Sequence, residues 1–62
     1  MKYDELRRLF KKGDIVELFI TGMGRRRGKV IQIDEEIVGL DTGPTKVFAT
    51  CGQVQGVSVV VR

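Results

Sequence analysis

The chain has no histidine and no tryptophan, and it has only one cysteine and one proline. A single cysteine excludes a disulfide within the chain, and without histidine a structural zinc site lacks its usual ligands. Because the chain has no histidine, its cysteine and hydroxyl side chains have no histidine base to activate them as catalytic nucleophiles. The sequence therefore predicts a protein that is not an enzyme, that has no cofactor or metal site, and that has no evident small-molecule substrate.

Long apolar runs are also missing. Apolar residues make up 42% of the chain, but no run approaches the roughly 20 residues that a membrane-spanning helix needs. No signal-peptide core is recognisable either. We therefore expect a soluble, cytoplasmic protein with no membrane partner.

The chain is short for a self-sufficient fold. It has 62 residues, and a core of this size rarely supplies more than about 3–5 kcal/mol. Because disulfides and zinc are excluded, association of several copies is the stabilising device that is left. We expect one domain, residues 1–62, that forms a homo-oligomer.

Charge is unevenly distributed. The formal net charge is +3, and the surplus lies in residues 1–12, whereas basic and acidic residues balance in the rest of the chain. Within that balanced part Arg25, Arg26, Arg27 and Lys29 are bunched together. We expect an electrically polarised molecule with a basic helix and one basic loop.

Residues 1–12 have the spacing of a short amphipathic helix. Tyr3, Leu6, Leu9 and Phe10 lie three and four residues apart and so share one face. Gly13 is the expected left-handed residue that ends the helix. The basic residues of this segment are the solvated face of the helix, or, in a ring, a surface of concentrated charge.

Residues 14–62 predict five strands. β-branched and aromatic residues separated by turn residues indicate strands at Ile15–Thr21, Lys29–Asp34, Ile37–Asp41, Lys46–Thr50 and Gly56–Val61. Residues 22–28 read as a long glycine-rich loop, and Ile31 and Ile33 are expected to point inward. The order of elements predicts a mainly β fold, a short helix followed by a five-stranded antiparallel SH3-like barrel.

Several single residues have structural explanations. Asp34 is expected to cap backbone donors in an acidic turn, and Cys51 to be a small buried residue. Phe19 and Phe48 are expected in the core or in a subunit interface. The uncharged last strand is an aggregation hazard if it is left unpaired.

The order of these features resembles the Sm-like family, and in particular its bacterial Hfq branch. The matching stretches are LRRLFKKGDIVELFITG and RGKVIQIDEEIVGL, in which Gly28, Val30, Ile33, Asp34 and Leu40 carry the family pattern. A second motif is only faintly matched by VFATCGQVQGVSVV. The likeness covers essentially the whole chain, although most of the pattern builds the barrel.

The resemblance implies a ring of six or seven subunits that are joined edge to edge through the fourth and fifth strands. It also implies binding of RNA. The residues expected to contact RNA are Arg7, Arg8, Arg25, Arg26, Arg27 and Lys29, and those expected at the subunit interface are Val47, Phe48, Val57, Val59 and Val60.

The family's uridine pocket is not retained. Sm proteins use an Asn after the motif Asp, and this chain has no Asn. Hfq uses an aromatic two residues after that Asp and a Lys-His pair, whereas Glu36 occupies the first place here and His is absent. Any RNA binding should therefore be electrostatic.

Two alternatives stay open. GDIVELFITGMGRRRGKVIQID is also similar to the KOW motif of ribosomal and transcription proteins, whose hairpin contacts RNA. The GMGRRRG segment has two equally good explanations. It is either a loop that contacts phosphate without an aromatic partner, or a loop that only keeps the protein soluble. In the second case the domain would be a protein-interaction or assembly module.

Overall fold

The chain folds as a short helix followed by five antiparallel strands in one open sheet with the order β4-β3-β2-β1-β5. A computed structural model describes all residues, 1–62. The elements are α1 (Tyr3–Leu9), β1 (Ile15–Ile20), β2 (Gly24–Ile33), β3 (Ile37–Asp41), β4 (Lys46–Thr50), a 3-10 turn (Cys51–Gln53) and β5 (Val54–Val61). The predicted mainly β fold is confirmed, and the architecture is consistent with a small barrel.

Helix α1 is shorter than predicted. It ends at Leu9, because Phe10 already has an extended backbone with φ −152°. Gly13 is left-handed, with φ +99°, but it serves the following turn, in which the Asp14 amide donates to the Lys11 carbonyl at 3.1 Å. The expectation that Gly13 ends the helix is therefore wrong. With seven residues, α1 is much too short to span a bilayer.

All five strands and the helix contribute to one core. The alternation predicted for β1 is confirmed, since Val16, Leu18 and Ile20 are buried. The core comprises eleven side chains: Leu6, Phe10, Val16, Leu18, Ile20, Val30, Val38, Leu40, Ala49, Cys51 and Val54. Leu9, expected on the buried face of the helix, is 38% exposed.

A bulge changes the inward set of β2. Val30 is 1% exposed, whereas Ile31 and Ile33 are only partly buried. The pairing with β3 shifts between Val30 and Gln32, and a one-residue shift exchanges the two faces of a strand. Ile33 packs against the core opposite the buried Val38, as expected. The expectation for Ile31 is wrong, because Val30 takes the inward place before the bulge.

The sheet has two free edges. β4 pairs only with β3, and β5 pairs only with β1. The 3-10 turn Cys51–Gln53 connects β4 to β5, but the two strands do not pair with each other. Both edges therefore present unpaired backbone groups to a neighbour.

Candidate nucleic-acid interface

The arginine cluster lies on a strand. The turn between β1 and β2 needs only residues 21–23, because Gly22 and Gly24 have φ values of +86° and +75° and the Met23 amide donates to the Ile20 carbonyl at 2.9 Å. β2 starts at Gly24, so Arg25, Arg26 and Arg27 are paired with β1. The predicted long loop over residues 22–28 is therefore wrong.

Strand pairing separates the three arginines. Arg25 lies opposite Phe19 and Arg27 opposite Glu17, whereas Arg26 lies opposite the buried Leu18. Successive residues of a strand point to opposite faces. Arg25 and Arg27 consequently share the outer face of the hairpin, and Arg26 extends from the other face.

We call this outer surface the hairpin face. It contains three rows of cross-strand partners, with Lys29 opposite Ile15 in the last row. The rows are two residues apart, which corresponds to about 6.7 Å along the strand. The hairpin face consists of Ile15, Glu17, Phe19, Arg25, Arg27 and Lys29.

Glu17 lies between the two arginines of the hairpin face. Its carboxylate is 3.4 Å from Arg27 Nη2 and 4.0 Å from Arg25 Nη1. The Glu17 side chain is 17% exposed, but the arginines are 63% and 66% exposed. Such solvated pairs contribute little stability, so both guanidinium groups can exchange Glu17 for another anion.

An aromatic side chain accompanies these arginines. Phe19 is 45% exposed and lies directly opposite Arg25 on the outer face. Phe48 is 48% exposed. Neither ring belongs to the core, so the first of the two expected places is wrong, whereas the place in a subunit interface stays a prediction. Phe19 is the aromatic side chain nearest to the arginines in the strand pairing.

A second basic surface lies where α1 ends. A cavity of about 140 Å³ there is lined by Arg7, Arg8, Leu9, Phe10, Lys11, Asp14 and Arg62, and we call it the helix-end groove. Arg7 is paired with Asp4 at 3.2 Å. Arg8 and Arg62 form no ion pair within 4.0 Å, although the charge of Arg62 contributes to lowering the pKa of Asp14.

Asp14 forms the floor of the helix-end groove. It is 2% exposed, and its carboxylate accepts hydrogen bonds from the Lys11 amide at 3.0 Å and from Lys11 Nζ at 3.1 Å. The bond from the Lys11 amide, followed by the Lys11 ammonium group, lowers the pKa of Asp14 despite burial. Asp14 is therefore a charged structural group that fixes the turn after α1.

The two basic surfaces meet at one end of β1. Ile15 has Lys29 as its partner on β2 and Val61 as its partner on β5. Arg62 follows Val61, and Asp14 precedes Ile15. Basic side chains thus continue from Arg25 along the hairpin face and into the helix-end groove.

The residues predicted for a subunit interface are divided between the two edge strands. Val47, Val57 and Val59 are partly buried and pack against the core. Phe48 and Val60 are 48% and 42% exposed. Of the five, these two are the most exposed.

The acidic turn has a structural role. Asp34 accepts hydrogen bonds from the amides of Glu36 and Ile37 at 2.9 and 2.8 Å, which confirms the predicted cap. The bond from the Gln32 side chain, and then those two amides, lower the pKa of Asp34. No three His, Cys, Asp or Glu side chains are grouped as metal ligands would be.

Cys51 is buried, as predicted. It is 5% exposed, and its thiol lies 3.4 Å from the Asp34 carbonyl. Burial, together with the nearby Asp34 charge, raises the pKa of Cys51. A protonated, buried thiol is unreactive, so Cys51 acts as a core residue.

Sequence reasoning missed two members of these surfaces. Phe19 was expected in the core or in a subunit interface, and Arg62 was not among the candidate residues. The outward set of β1 contains Phe19 with Glu17, so alternation with the buried Leu18 was a usable signal for Phe19. Nothing local to Arg62 indicates the groove, which depends on how α1 packs.

Comparisons of the chain with protein-family models, characterised proteins and solved structures return no match.

Proposed function

We propose that this chain is a non-catalytic, Sm-like ring protein that binds RNA by electrostatic contacts. The observation that carries the proposal is the row formed by Arg25, Arg27 and Lys29, which share one outer face of the hairpin. Their side chains are exposed, and only Glu17 opposes them. The same hairpin contact would serve a KOW-type role.

Phosphate groups are the ligands that this row fits. Guanidinium groups bind phosphate through paired donors, and ammonium groups attract it as point charges. Each phosphate contact to a single strand adds about 0.7 to the dependence of log K on log salt. Three contacts on the hairpin face therefore give a slope of about −2, and contacts in the helix-end groove make it steeper.

The free edges support assembly into a ring. An edge of β4 that pairs with β5 of the next copy is a head-to-tail contact, which closes into a ring when the rotation allows it. A ring would repeat the basic surfaces of Arg8 and Arg62 around its circumference and so raise the local positive potential. The resemblance suggests six or seven copies.

Replacing Arg27 with glutamine is expected to reduce the salt slope for RNA binding by about 0.7, because one phosphate contact is lost. The measurement is fluorescence anisotropy of a labelled single-stranded RNA between about 50 and 200 mM salt. Arg26→Gln is the matched control, since Arg26 belongs to the same run but lies on the other face. Equal slopes for both variants would contradict binding through the hairpin face.

Replacing Glu17 with glutamine is expected to tighten RNA binding about threefold. Removing one negative charge about 7 Å from a phosphate in water is worth ~0.6 kcal/mol. Glu35→Gln, in the exposed acidic turn, is the control and should leave the affinity unchanged. Weaker binding by Glu17→Gln would mean that the carboxylate holds the arginines in their binding geometry.

A protein-interaction module is the second candidate. Exposed apolar side chains on the two edge strands, Phe48, Val60 and Val61, favour contacts with protein. In that case the arginines serve solubility only. RNA gel shifts that stay blank at micromolar protein, with an oligomer present in light scattering, would favour this second function.

A further inference from the structure

Strand β2 extends well beyond its neighbour β3. It has ten residues, whereas β3 has five. The pairing of these two strands starts at Lys29, which lies opposite Asp41, but β2 pairs with β1 from Gly24 onwards. Residues 24–28 of β2 therefore have a neighbouring strand on one side only.

The backbone groups on the open side belong to two arginines. The amide of Val30 donates to the Asp14 carbonyl at 2.8 Å, so Val30 directs its backbone groups towards the β1 side. Alternate residues of an antiparallel strand bond to the same neighbour. Arg26 therefore bonds to β1 as well, whereas the amides and carbonyls of Arg25 and Arg27 point to the open side.

We call this open side the arginine edge; it consists of Arg25, Arg26 and Arg27, which are all exposed. Neither Arg25 nor Arg27 forms a backbone hydrogen bond outside the strand ladders. The Arg25 carbonyl accepts from Nη1 of the adjoining Arg26 at 3.0 Å. The end of β3 turns over Gly28, where a Cβ would be 2.5 Å from the Asp41 carbonyl oxygen, and does not continue beside the arginines. The edge is therefore open to a partner.

The arginine edge fits an acidic peptide in an extended conformation. An added strand bonds its main chain to the free amides and carbonyls of Arg25 and Arg27. Its residues opposite these two lie about 5.5 Å away between Cα atoms, with side chains on the same face. Acidic side chains at those places form cross-strand pairs of opposite charge with the two guanidinium groups. The residue between them meets Arg26 on the other face.

The same groups disfavour the other possible occupants of the edge. A second copy that paired through its own arginine edge would place arginine opposite arginine, which is destabilising. Phosphates of RNA accept hydrogen bonds from the amides of Arg25 and Arg27 but have no donor for the two carbonyls. Only a polypeptide strand supplies donors and acceptors in the required alternation.

We propose that the arginine edge binds an extended acidic segment of a partner protein, which joins the sheet as a short strand beside β2. The proposal does not depend on RNA binding. It does not depend on the ring either, because assembly through β4 and β5 leaves this part of β2 open. A protein that binds the peptide and no RNA would therefore refute only the proposed function.

A peptide with a modified backbone tests the strand pairing. The probe is a labelled octapeptide in which glutamate alternates with threonine, and fluorescence anisotropy measures its binding. N-methylation of the glutamates removes the amides that face β2, and it is expected to weaken binding by about tenfold or more. N-methylation of the threonines is the matched control and should change the affinity less than about twofold, because those amides point away from β2. Equal binding of the two methylated peptides would overturn the proposal, since charge alone would then hold the peptide.

Two substitutions of Arg27 separate the main-chain bond from the charge. Both Arg27→Gln and Arg27→Pro remove the guanidinium group, but only proline also removes the amide on the open side. Proline is tolerated where the amide of an edge strand faces solvent, and circular dichroism checks that the fold is kept. Arg27→Gln is expected to weaken peptide binding about threefold, and Arg27→Pro about fivefold more. Equal affinities of the two folded variants would overturn the strand pairing.

Amide hydrogen exchange tests the edge in the original protein. In the free protein the amides of Arg25 and Arg27 should exchange fast, and those of Arg26 and Gly28 slowly, because the latter bond to β1. The peptide should slow exchange at Arg25 and Arg27. Slow exchange at these two residues before the peptide is added would show that the edge is already covered, and would refute the proposal. Protection by a single-stranded RNA, without protection by the peptide, would assign the edge to nucleic acid and refute it as well.

Discussion

Gly28→Ala is expected to destabilise the fold strongly and to lower its Tm. Gly28 lies in β2 opposite Val16. It is buried, and the end of the neighbouring strand β3 lies against it. A Cβ at this position would be 2.5 Å from the Asp41 carbonyl oxygen and 2.9 Å from its carbon. Both are backbone atoms, so β2 and β3 must separate to admit one methyl group.

The expected cost is large relative to the total stability. Overpacking of this kind costs about 1–3 kcal/mol and occasionally more, whereas a core of this size supplies about 3–5 kcal/mol. A loss of about 3 kcal/mol lowers the Tm of a small domain by roughly 12–24 °C. Thermal unfolding followed by circular dichroism at equal protein concentrations measures the change.

Gly52→Ala is the control for Gly28→Ala. Gly52 lies in the 3-10 turn, its φ is not positive, and a Cβ there would meet nothing within 4 Å. Its Tm should change little, because substitutions at open sites usually stay within about 0.5 kcal/mol. A Gly28→Ala protein with the original Tm would contradict the close approach of the Asp41 backbone to Gly28.

The sequence indicated the strands better than the faces of the hairpin. β3 and β4 were predicted with their observed bounds, because apolar runs between clear turn residues mark both of them. The arginines were assigned to a loop, since three arginines between glycines have no local preference for a strand. Pairing with Phe19 and Glu17 imposes the strand conformation, and only that register places Arg25 beside an aromatic ring.

The remaining errors also come from contacts that are distant in sequence. The bulge after Val30 exchanges the faces of β2, and no residue type signals it. The helix-end groove needs Arg62 to meet the last turn of α1, although the two segments are at opposite ends of the chain. Periodicity alone therefore identifies the elements, whereas pairing decides which charges share a surface.

Val60→Asp is expected to dissociate the proposed ring into folded single subunits. Val60 lies on the edge strand β5 and is 42% exposed. Val60 has no partner on β1, because Ile15 pairs with Val61 and Val16 pairs with Val59. Val60 therefore lies at a shift in the strand register. An aspartate there removes apolar contact area and disfavours strand pairing at the edge, and it leaves the core intact.

Light scattering at micromolar concentration measures the result, which should be a mass near 7.0 kDa in place of a multiple of it. Leu9→Asp is the matched control, because Leu9 is similarly exposed at 38% but lies on α1, so its oligomer should persist. Val59→Asp should instead unfold the subunit, since Val59 packs against the core. A single 7.0 kDa species for the unsubstituted chain would refute assembly, because Val60 would then have no neighbour to lose.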